Sequence, residues 1–432
     1  MRIIAGIDIG SSKFVTVIAK ISPEDSRINI IGASSLPSAG IRKGQIVNIE
    51  EATEGIIASV EAAERMAGYT VSRTLVSVGG AHVASQNSRG VVAVAEPEGE
   101  INHDDVRRVF EAARAVSLPS SREIIHCLPR SFTVDSQEGI KDPVGMTGVR
   151  LEVDTHIITG SSTALRNLAK CVSGVGADIE ALIFGGIAAS MGVLTETEKE
   201  LGVILVDIGG GTTDVVIFVE GAPAYTAVLP IGAKNVTNDL AIGLRLSLES
   251  AEKLKTALSE RPKEVVIAGE DREDKEAKDH GKDEVDLESL GIHEETKTVS
   301  RKTLIEGIIK PRLNEIFNLV GMEVKKSGFG GMTPSGVVLT GGGALTAGVV
   351  EACKRTLSLP VRVGVPEEFF GLVDDLMTPA FATSLGLITY GSKMEESGST
   401  KVSFSQIGKM VQKLPVGGVA QKAIGFIKSL LP

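Results

Sequence analysis

Apolar residues run through Ile3-Ile4-Ala5-Gly6-Ile7, reach Asp8, turn through Ile9-Gly10-Ser11-Ser12-Lys13 and leave through Phe14-Val15-Thr16-Val17. The same order recurs as Val203-Ile204-Leu205-Val206, Asp207, then Ile208-Gly209-Gly210-Gly211-Thr212-Thr213-Asp214 and Val215-Val216-Ile217. Each stretch predicts a β-hairpin. A third apolar run, Gly336 to Leu339, ends at Thr340 and a glycine triplet, Gly341-Gly342-Gly343, before Ala344 and Leu345 start an apolar helix. Between these marks, a helical period over Ile49 to Ala67 places Ile56, Ile57, Val60 and Ala63 on one face, and Thr74 to Val78 predicts a strand. From Ala84 to Thr163 the texture changes to a strand (Gly90 to Ala95), a helix capped by Asn102 and running to Val116, and two strands (Glu123 to Val134, Val149 to Thr159). Helices are predicted over Leu165 to Val172, Ile183 to Leu194, Leu248 to Leu258 and Ser300 to Val324.

Composition narrows the classes. At about 150 residues per domain, 432 residues allow roughly three units. Aromatics are only 3% and Trp is absent, so packing relies on Ile, Val, Leu and Ala, which suits buried parallel-type strands. The formal charge of −10 argues against nucleic acid as a partner, because phosphate backbones need a cationic footprint. Three cysteines without a C-x-x-C pair suggest neither a disulfide framework nor a zinc site, and a reducing cytoplasm fits. His82, His103, His126 and His156 lack metal-ligand spacing. No secretory signal precedes the first strand, and no run approaches the roughly 20 apolar residues of a membrane span.

The turns carry the candidate chemistry. Glycine lets the backbone approach an anion closely, so consecutive N–H groups converge on it while Ser or Thr hydroxyls add donors. An Asp before each turn repels phosphate, yet it can hold a hydrated Mg²⁺ that bridges to phosphate oxygens. The alternative for either turn alone is a tight glycine turn between core strands. The glycine triplet suits adenosine packing against backbone, or a loose dinucleotide turn; no complete G-x-G-x-x-G or G-x-x-x-x-G-K-[ST] occurs.

The Asp8 turn, the Asp207 turn and the late triplet, in that order and spread, resemble the phosphate-1, phosphate-2 and adenosine motifs of the actin, heat-shock chaperone and sugar-kinase ATPase superfamily. Leu201 to Asp214, the run Leu304 to Leu319 containing Ile309-Lys310-Pro311-Arg312, and Val337 to Gly343 are similar to the FtsA family of bacterial cell-division proteins, over essentially the whole chain. This implies an α/β actin-like ATPase fold, with two related α/β lobes around a nucleotide cleft and an inserted strand-helix-strand-strand subdomain. Residues 1–83, 164–200 and 380–390 would form the first lobe, 84–163 the division-specific insert, and 201–237 with 330–379 the second lobe. Residues 238–329 would form a further subdomain carrying the FtsZ-tail site, 391–414 a flexible linker and 415–432 an amphipathic membrane-targeting helix.

The resemblance also implies ATP and Mg²⁺ as cofactors, with Asp8 and Asp207 organising hydrated Mg²⁺ and phosphate. Nucleotide contacts would come from Gly10, Ser11, Ser12, Lys13, Gly209, Gly210, Gly211, Thr212, Thr213, Gly341, Gly342, Gly343 and Ala344. Glu252 and Lys255, three apart on one helix, could hold the ribose or form a solvated ion pair. Relatives place a water-orienting Glu or Gln on the connection before the second lobe, but Leu182 to Ile187 offers none and Glu180 is the nearest carboxylate. ATP would then act as a conformational and polymerisation switch with weak hydrolysis at most.

Glu270 to Asp286 reads as a mobile, solvated loop. The helix Ser300 to Val324 sets Arg301, Lys302, Lys310 and Arg312 beside the stripe Leu304, Ile308, Ile316 and Leu319. In the family this region receives the C-terminal tail of the tubulin-like FtsZ, with Arg301, Lys310 and Arg312 as candidate contacts; an ordinary amphipathic surface helix shows the same period. Beyond Tyr390 the chain reads as a polar tether, and Val419 to Pro432 turns Ile424, Phe426, Ile427, Leu430 and Leu431 into one helical sector flanked by lysines. That sector suits a lipid interface with anionic headgroups, or a helix folded back on the body. Three classes follow: an ATP-binding adaptor that polymerises on the cytoplasmic face of the membrane at the division site, anchors FtsZ filaments there and helps recruit later divisome proteins; a small-molecule kinase of the same superfamily; or an actin-like scaffold of pilus assembly.

Overall fold

The computed structural model describes residues 2–22, 27–95, 99–259, 283–294 and 297–396. The expected terminal helix, with Ile424, Phe426, Ile427, Leu430 and Leu431, and the part of the expected linker after residue 396 lie outside the described residues.

Both hairpins form, and the likeness between them extends to two whole sheets. The first runs in space Asp178–Phe184, Arg73–Val78, Arg2–Ile9, Lys13–Ile21, Ile28–Pro37 and Phe369–Gly371. The second runs Val361–Val363, Val337–Thr340, Val203–Ile208, Thr213–Val219 and Ala222–Leu229. In each, the hairpin and its following strand make an antiparallel meander, and two parallel strands stack on the outer side of the first hairpin arm. The arms Val203–Ile208 and Thr213–Val219 are buried at every position, as their unbroken aliphatic runs demand.

The helix Ile49–Ala67 starts where Asn48 accepts the Glu50 and Glu51 N–H groups and stops at Gly68, whose φ of 62° only glycine adopts cheaply. Its face of Ile56, Val60 and Ala63 packs on Ile7, Phe14 and Ile18 of the first sheet. Each of these fully buried large side chains contributes about 2 kcal/mol. Between the lobes, the helices Gly185–Val193 and Ala382–Glu396 cross at contact distance: a Cβ on Gly386 would stand 1.8 Å from the Ala188 carbonyl oxygen. Gly386→Leu is therefore expected to cost about 3 kcal/mol or more, read as a lowered melting temperature. A loss below 1 kcal/mol would show that the helices separate freely.

Several elements depart from the expectations. Ile183 and Phe184 do not open a helix; they end the strand Asp178–Phe184, which pairs in parallel with Arg73–Val78, and the helix begins at Gly185. The insert has its predicted strand, helix, strand, strand order, with the helix His103–Arg114 stopping two residues early. A further strand, Gln137–Ile140, follows Arg122–Val134 across a turn. Its sheet runs Ala84–Ala93, Arg150–Ser161, Arg122–Val134, Gln137–Ile140. The end of the expected loop is ordered structure, because Glu284–Asp286 pairs with Thr298–Ser300; residues 270–282 lie outside the described residues. The helix expected over Ser300 to Val324 is capped by the Ser300 hydroxyl and holds a π-helical turn at Ile305–Ile309 before continuing to Ser327. The helix Ala382–Glu396 runs six residues into the expected tether, because Gly391 packs on Leu75 and Ile4 and its carbonyl accepts from the Arg2 guanidinium at 2.8 Å. Among the described residues no helix is long and apolar enough to cross a membrane.

Candidate nucleotide site

The two glycine turns have the same skeleton. The Gly10 N–H donates to the Lys13 carbonyl at 3.1 Å, and the Gly209 N–H to the Thr212 carbonyl at 2.9 Å. They face one another across the lobes and interlock: a Cβ on Gly210 would lie 1.8 Å from Ser12 Oγ, and one on Gly211 would lie 2.8 Å from Ser11 Oγ. Turn carbonyls that would repel a phosphate are already satisfied. Ser11 O accepts from Lys234 Nζ at 2.6 Å, Ser12 O from the Ser38 N–H, and Gly209 O and Gly210 O from the Ala233 and Lys234 N–H groups.

One cavity of about 720 Å³ gathers Asp8, Gly10, Ser11, Ser12, Lys13, Asp207, Gly209, Gly210, Gly211, Thr212, Glu252, Lys255, Gly341, Gly342 and Gly343 on its walls. Two expected contacts stand behind the wall instead. Thr213 is fully buried with its hydroxyl donating to the Ile231 carbonyl at 2.9 Å, and Ala344 is buried with its N–H donating to Gly341 O. The triplet reaches the cavity only because it lacks side chains: Gly341 has a φ of 80°, and a Cβ there would lie 2.1 Å from Asp207 Oδ1.

Three acids and one base meet at the cavity floor. Ser77 Oγ donates to Asp8 Oδ1 at 2.7 Å and accepts from the Ile9 N–H at 2.9 Å. Thr383 Oγ1 donates to Asp207 Oδ2 at 2.9 Å. Burial raises the Asp8 carboxyl pKa against the Ser77 bond and the Lys13 charge. Burial pushes Asp207 up to about 6, with the Thr383 bond opposing and the Asp8 charge adding. Asp214 is driven well up by burial and by the Asp207 and Asp8 charges, against a bond from the Gly186 N–H, and its Oδ1 has no hydrogen-bond partner. Lys13 holds its ammonium 3.4 Å from the Phe381 ring centroid, and burial lowers it to about 8 while Asp8 and Asp207 oppose. Acids outnumber the base three to one in a desolvated space, and the unpartnered Asp214 oxygen leaves a buried negative group without a donor, a charge balance that a cation would correct. Among the described residues no three metal-ligating side chains close on one point, so the donor set suits an ion held through its own waters.

On the opposite wall Lys255 Nζ donates to Glu252 Oε2 at 2.7 Å and to Thr237 Oγ1 at 3.0 Å. Glu252 and Lys255 are thus an ion pair set into the cavity wall. Sequence reasoning missed Ser77, Asp214, Lys234, Thr237 and Thr383. For Asp214 a signal was present: a two-residue turn pairs 207 with 214, and directly opposed residues of a hairpin share a face. The first hairpin has Val15 there, opposite Asp8.

The bases expected to rim a peptide groove are engaged within the chain. Arg312 clasps Asp239 through Nε (2.6 Å) and Nη2 (2.8 Å) and also meets Glu315, joining the helices Lys310–Ser327 and Ala233–Leu244. Lys310 pairs with Glu306, and Arg301 donates to the Leu258 carbonyl.

Comparison with known proteins places this architecture. The model described as "Cell division protein FtsA" matches residues 204–386, and "SHS2 domain inserted in FTSA" matches 80–159. The chain is 38% identical over 416 residues to the cell division protein FtsA of Pseudomonas aeruginosa, spanning 96% of this chain and 95% of that one. It is 32% identical over 424 residues to that of Escherichia coli K12, spanning 96% of each. The chain belongs to the FtsA family of cell-division proteins.

Two solved structures share the actin-like ATPase fold of this FtsA-family chain. A PilM-PilN type IV pilus biogenesis complex gives a TM-score of 0.62 at 16% identity, over 90% of this chain and 98% of that one. MreB5 of Spiroplasma citri bound to AMPPNP gives 0.52 at 12% identity, over 92% and 98%.

Proposed function

We propose that this FtsA-family chain binds ATP with Mg²⁺ between its two glycine turns and uses it as a switch for polymerising on the cytoplasmic face of the membrane. There it anchors FtsZ filaments through their C-terminal tail and helps recruit later divisome proteins. The observation that carries this reading is the pair of interlocked turns above three buried acids. Their N–H groups and hydroxyls suit phosphates, and the acids suit a hydrated divalent ion that neutralises both sides. AMPPNP in the MreB5 relative supports a nucleotide here. Bound Mg²⁺ would supply charge neutralisation of the β- and γ-phosphates; Asp8, Asp207 and Asp214 would hold its waters, and Lys13 would face the phosphates.

Slow turnover is part of the reading. The connection Leu182 to Ile187 carries no polar water-orienting side chain, and the acid it meets is Asp214 from across the cleft, whose Oδ2 lies 3.2 Å from where a Gly185 Cβ would be. Membrane attachment rests on the amphipathic sector of residues 415–432, and partner contact on the subdomain that carries Arg301, Lys310 and Arg312.

Co-sedimentation with anionic vesicles and FtsZ tail peptide tests both ends of the bridge. The full chain is expected to carry the peptide to the vesicle pellet, whereas chain lacking 415–432, or carrying Ile427→Glu, stays in the supernatant while still binding ATP. Truncated chain that pellets with vesicles as well as the full chain would overturn the lipid anchor.

A further inference from the structure

The insert leaves the first lobe after the strand Arg73–Val78 and returns to it at the helix Ser162–Ser173, so both of its covalent ends belong to that lobe. Its seat is on the other one. Ser85 Oγ donates to the Thr226 carbonyl at 2.8 Å and accepts from the Thr226 N–H at 3.1 Å, and Asn87 Nδ2 donates to the Ala224 carbonyl at 3.2 Å. His156 bridges the same gap, with Nδ1 2.7 Å from Asn87 Oδ1 and Nε2 3.2 Å from Thr226 Oγ1. Arg130 lies 5.3 Å over the Phe329 ring beyond it. The hydrogen bonds fall on Ala224 and Thr226 of Ala222–Leu229, the edge strand of the second sheet.

The insert also touches the cleft floor. His126 Nε2 accepts the Phe184 N–H at 2.9 Å, directly ahead of the helix Gly185–Val193 whose Gly186 N–H supports Asp214. Burial holds both imidazoles neutral, His126 down to about 4 and His156 down to about 3, and because the Phe184 N–H donates to His126 Nε2, the one ring proton of His126 sits on Nδ1. A body covalently rooted in one lobe and hydrogen-bonded to the other must slip or break those bonds when the lobes part.

We propose that the inserted sheet is an interlobe latch: its Ser85–Asn87–His156 seat on Thr226 holds the second lobe against the first and slows release of the nucleotide. A seat that favours the closed lobes also raises equilibrium affinity, and that coupling is reciprocal: nucleotide in the cleft tightens the seat, and a ligand that draws the insert away weakens nucleotide binding. The proposal rests on the ATP reading above.

The test uses the full chain with Mg²⁺ and a fluorescent ATP analogue, measuring release by stopped flow and amide hydrogen exchange of residues 222–229. Ser85→Ala with Asn87→Ala is expected to speed release about tenfold, the effect of losing one or two net hydrogen bonds, and to speed exchange in 222–229; Ser85→Ala alone gives a smaller rise in both. Arg89→Gln, which cuts the 2.8 Å Arg89–Asp154 pair inside the insert's own sheet, is expected to leave release unchanged. Unchanged release from the seat variants overturns the latch, whether or not 222–229 loosens, and so does equal acceleration by Arg89→Gln. Wild-type chain that fails to bind the analogue would instead strike the ATP reading, and the latch with it.

Discussion

Asp207→Asn is expected to lower Mg²⁺-dependent ATP affinity at least about 100-fold while raising the melting temperature of the ligand-free chain. The two effects have one cause. Burial holds the Asp207 carboxyl near 6 instead of 3.8, so the folded chain binds that proton more tightly than the unfolded chain does. Ligand-free stability therefore falls as pH rises from about 4 towards 6, and the whole cost is present at pH 7. A difference of that size is worth up to about 3 kcal/mol, which Asn removes while its amide oxygen still accepts from Thr383. The charge that costs stability is the charge a hydrated divalent ion needs, so affinity goes with it. In the wild-type chain ATP binding should weaken as pH drops below about 6, where Asp207 takes up its proton. Titration calorimetry and thermal melts at pH 7, with and without Mg²⁺ and ATP, read both effects. Unchanged affinity, or a lower ligand-free melting temperature, would refute the assignment.

Gly210→Ala is expected to weaken ATP binding about 10- to 100-fold, and adding Ser12→Gly, which relieves the clash but removes a hydroxyl offered to phosphate, to restore part of the loss. The new methyl would sit 1.8 Å from Ser12 Oγ and 3.0 Å from Ser12 Cβ, so the Ser12 hydroxyl must swing out of its place and the turns must ease apart to admit it. Ligand held by both turns then loses contact with one of them. Equilibrium binding of the two single variants and the double variant forms a cycle whose coupling measures the contact. Additive losses, with no rescue, would show that the turns do not close on each other in solution.

Much of the fold was legible because glycine turns between aliphatic runs and the period of Ile49 to Ala67 are local signals. The strand Asp178–Phe184 was not, since Leu182-Ile183-Phe184 is too short an apolar run to tell strand from buried helix without its parallel partner. At the site, Asp8, Asp207 and the triplet could be read from their place beside glycine. Lys234 and Thr383 could not, because the groups they hold there, the Ser11 carbonyl and the Asp207 carboxylate, lie more than 170 positions away in the chain. The engagement of Arg312 with Asp239, 73 residues apart, is equally silent in sequence, as helical period gives the face of a base and not its partner. Ser85 and Asn87 dock on the second lobe largely through backbone groups, which carry no residue signature.

Two sheets of one topology invite the picture of a doubled ancestor, but the seam between the copies forbids true symmetry. Serines occupy one turn, Ser11 and Ser12, and bare backbone the other, Gly210 and Gly211; matching side chains on both would collide before the halves met. A protein of this design can grip its ligand tightly only after its duplicated parts have ceased to be alike.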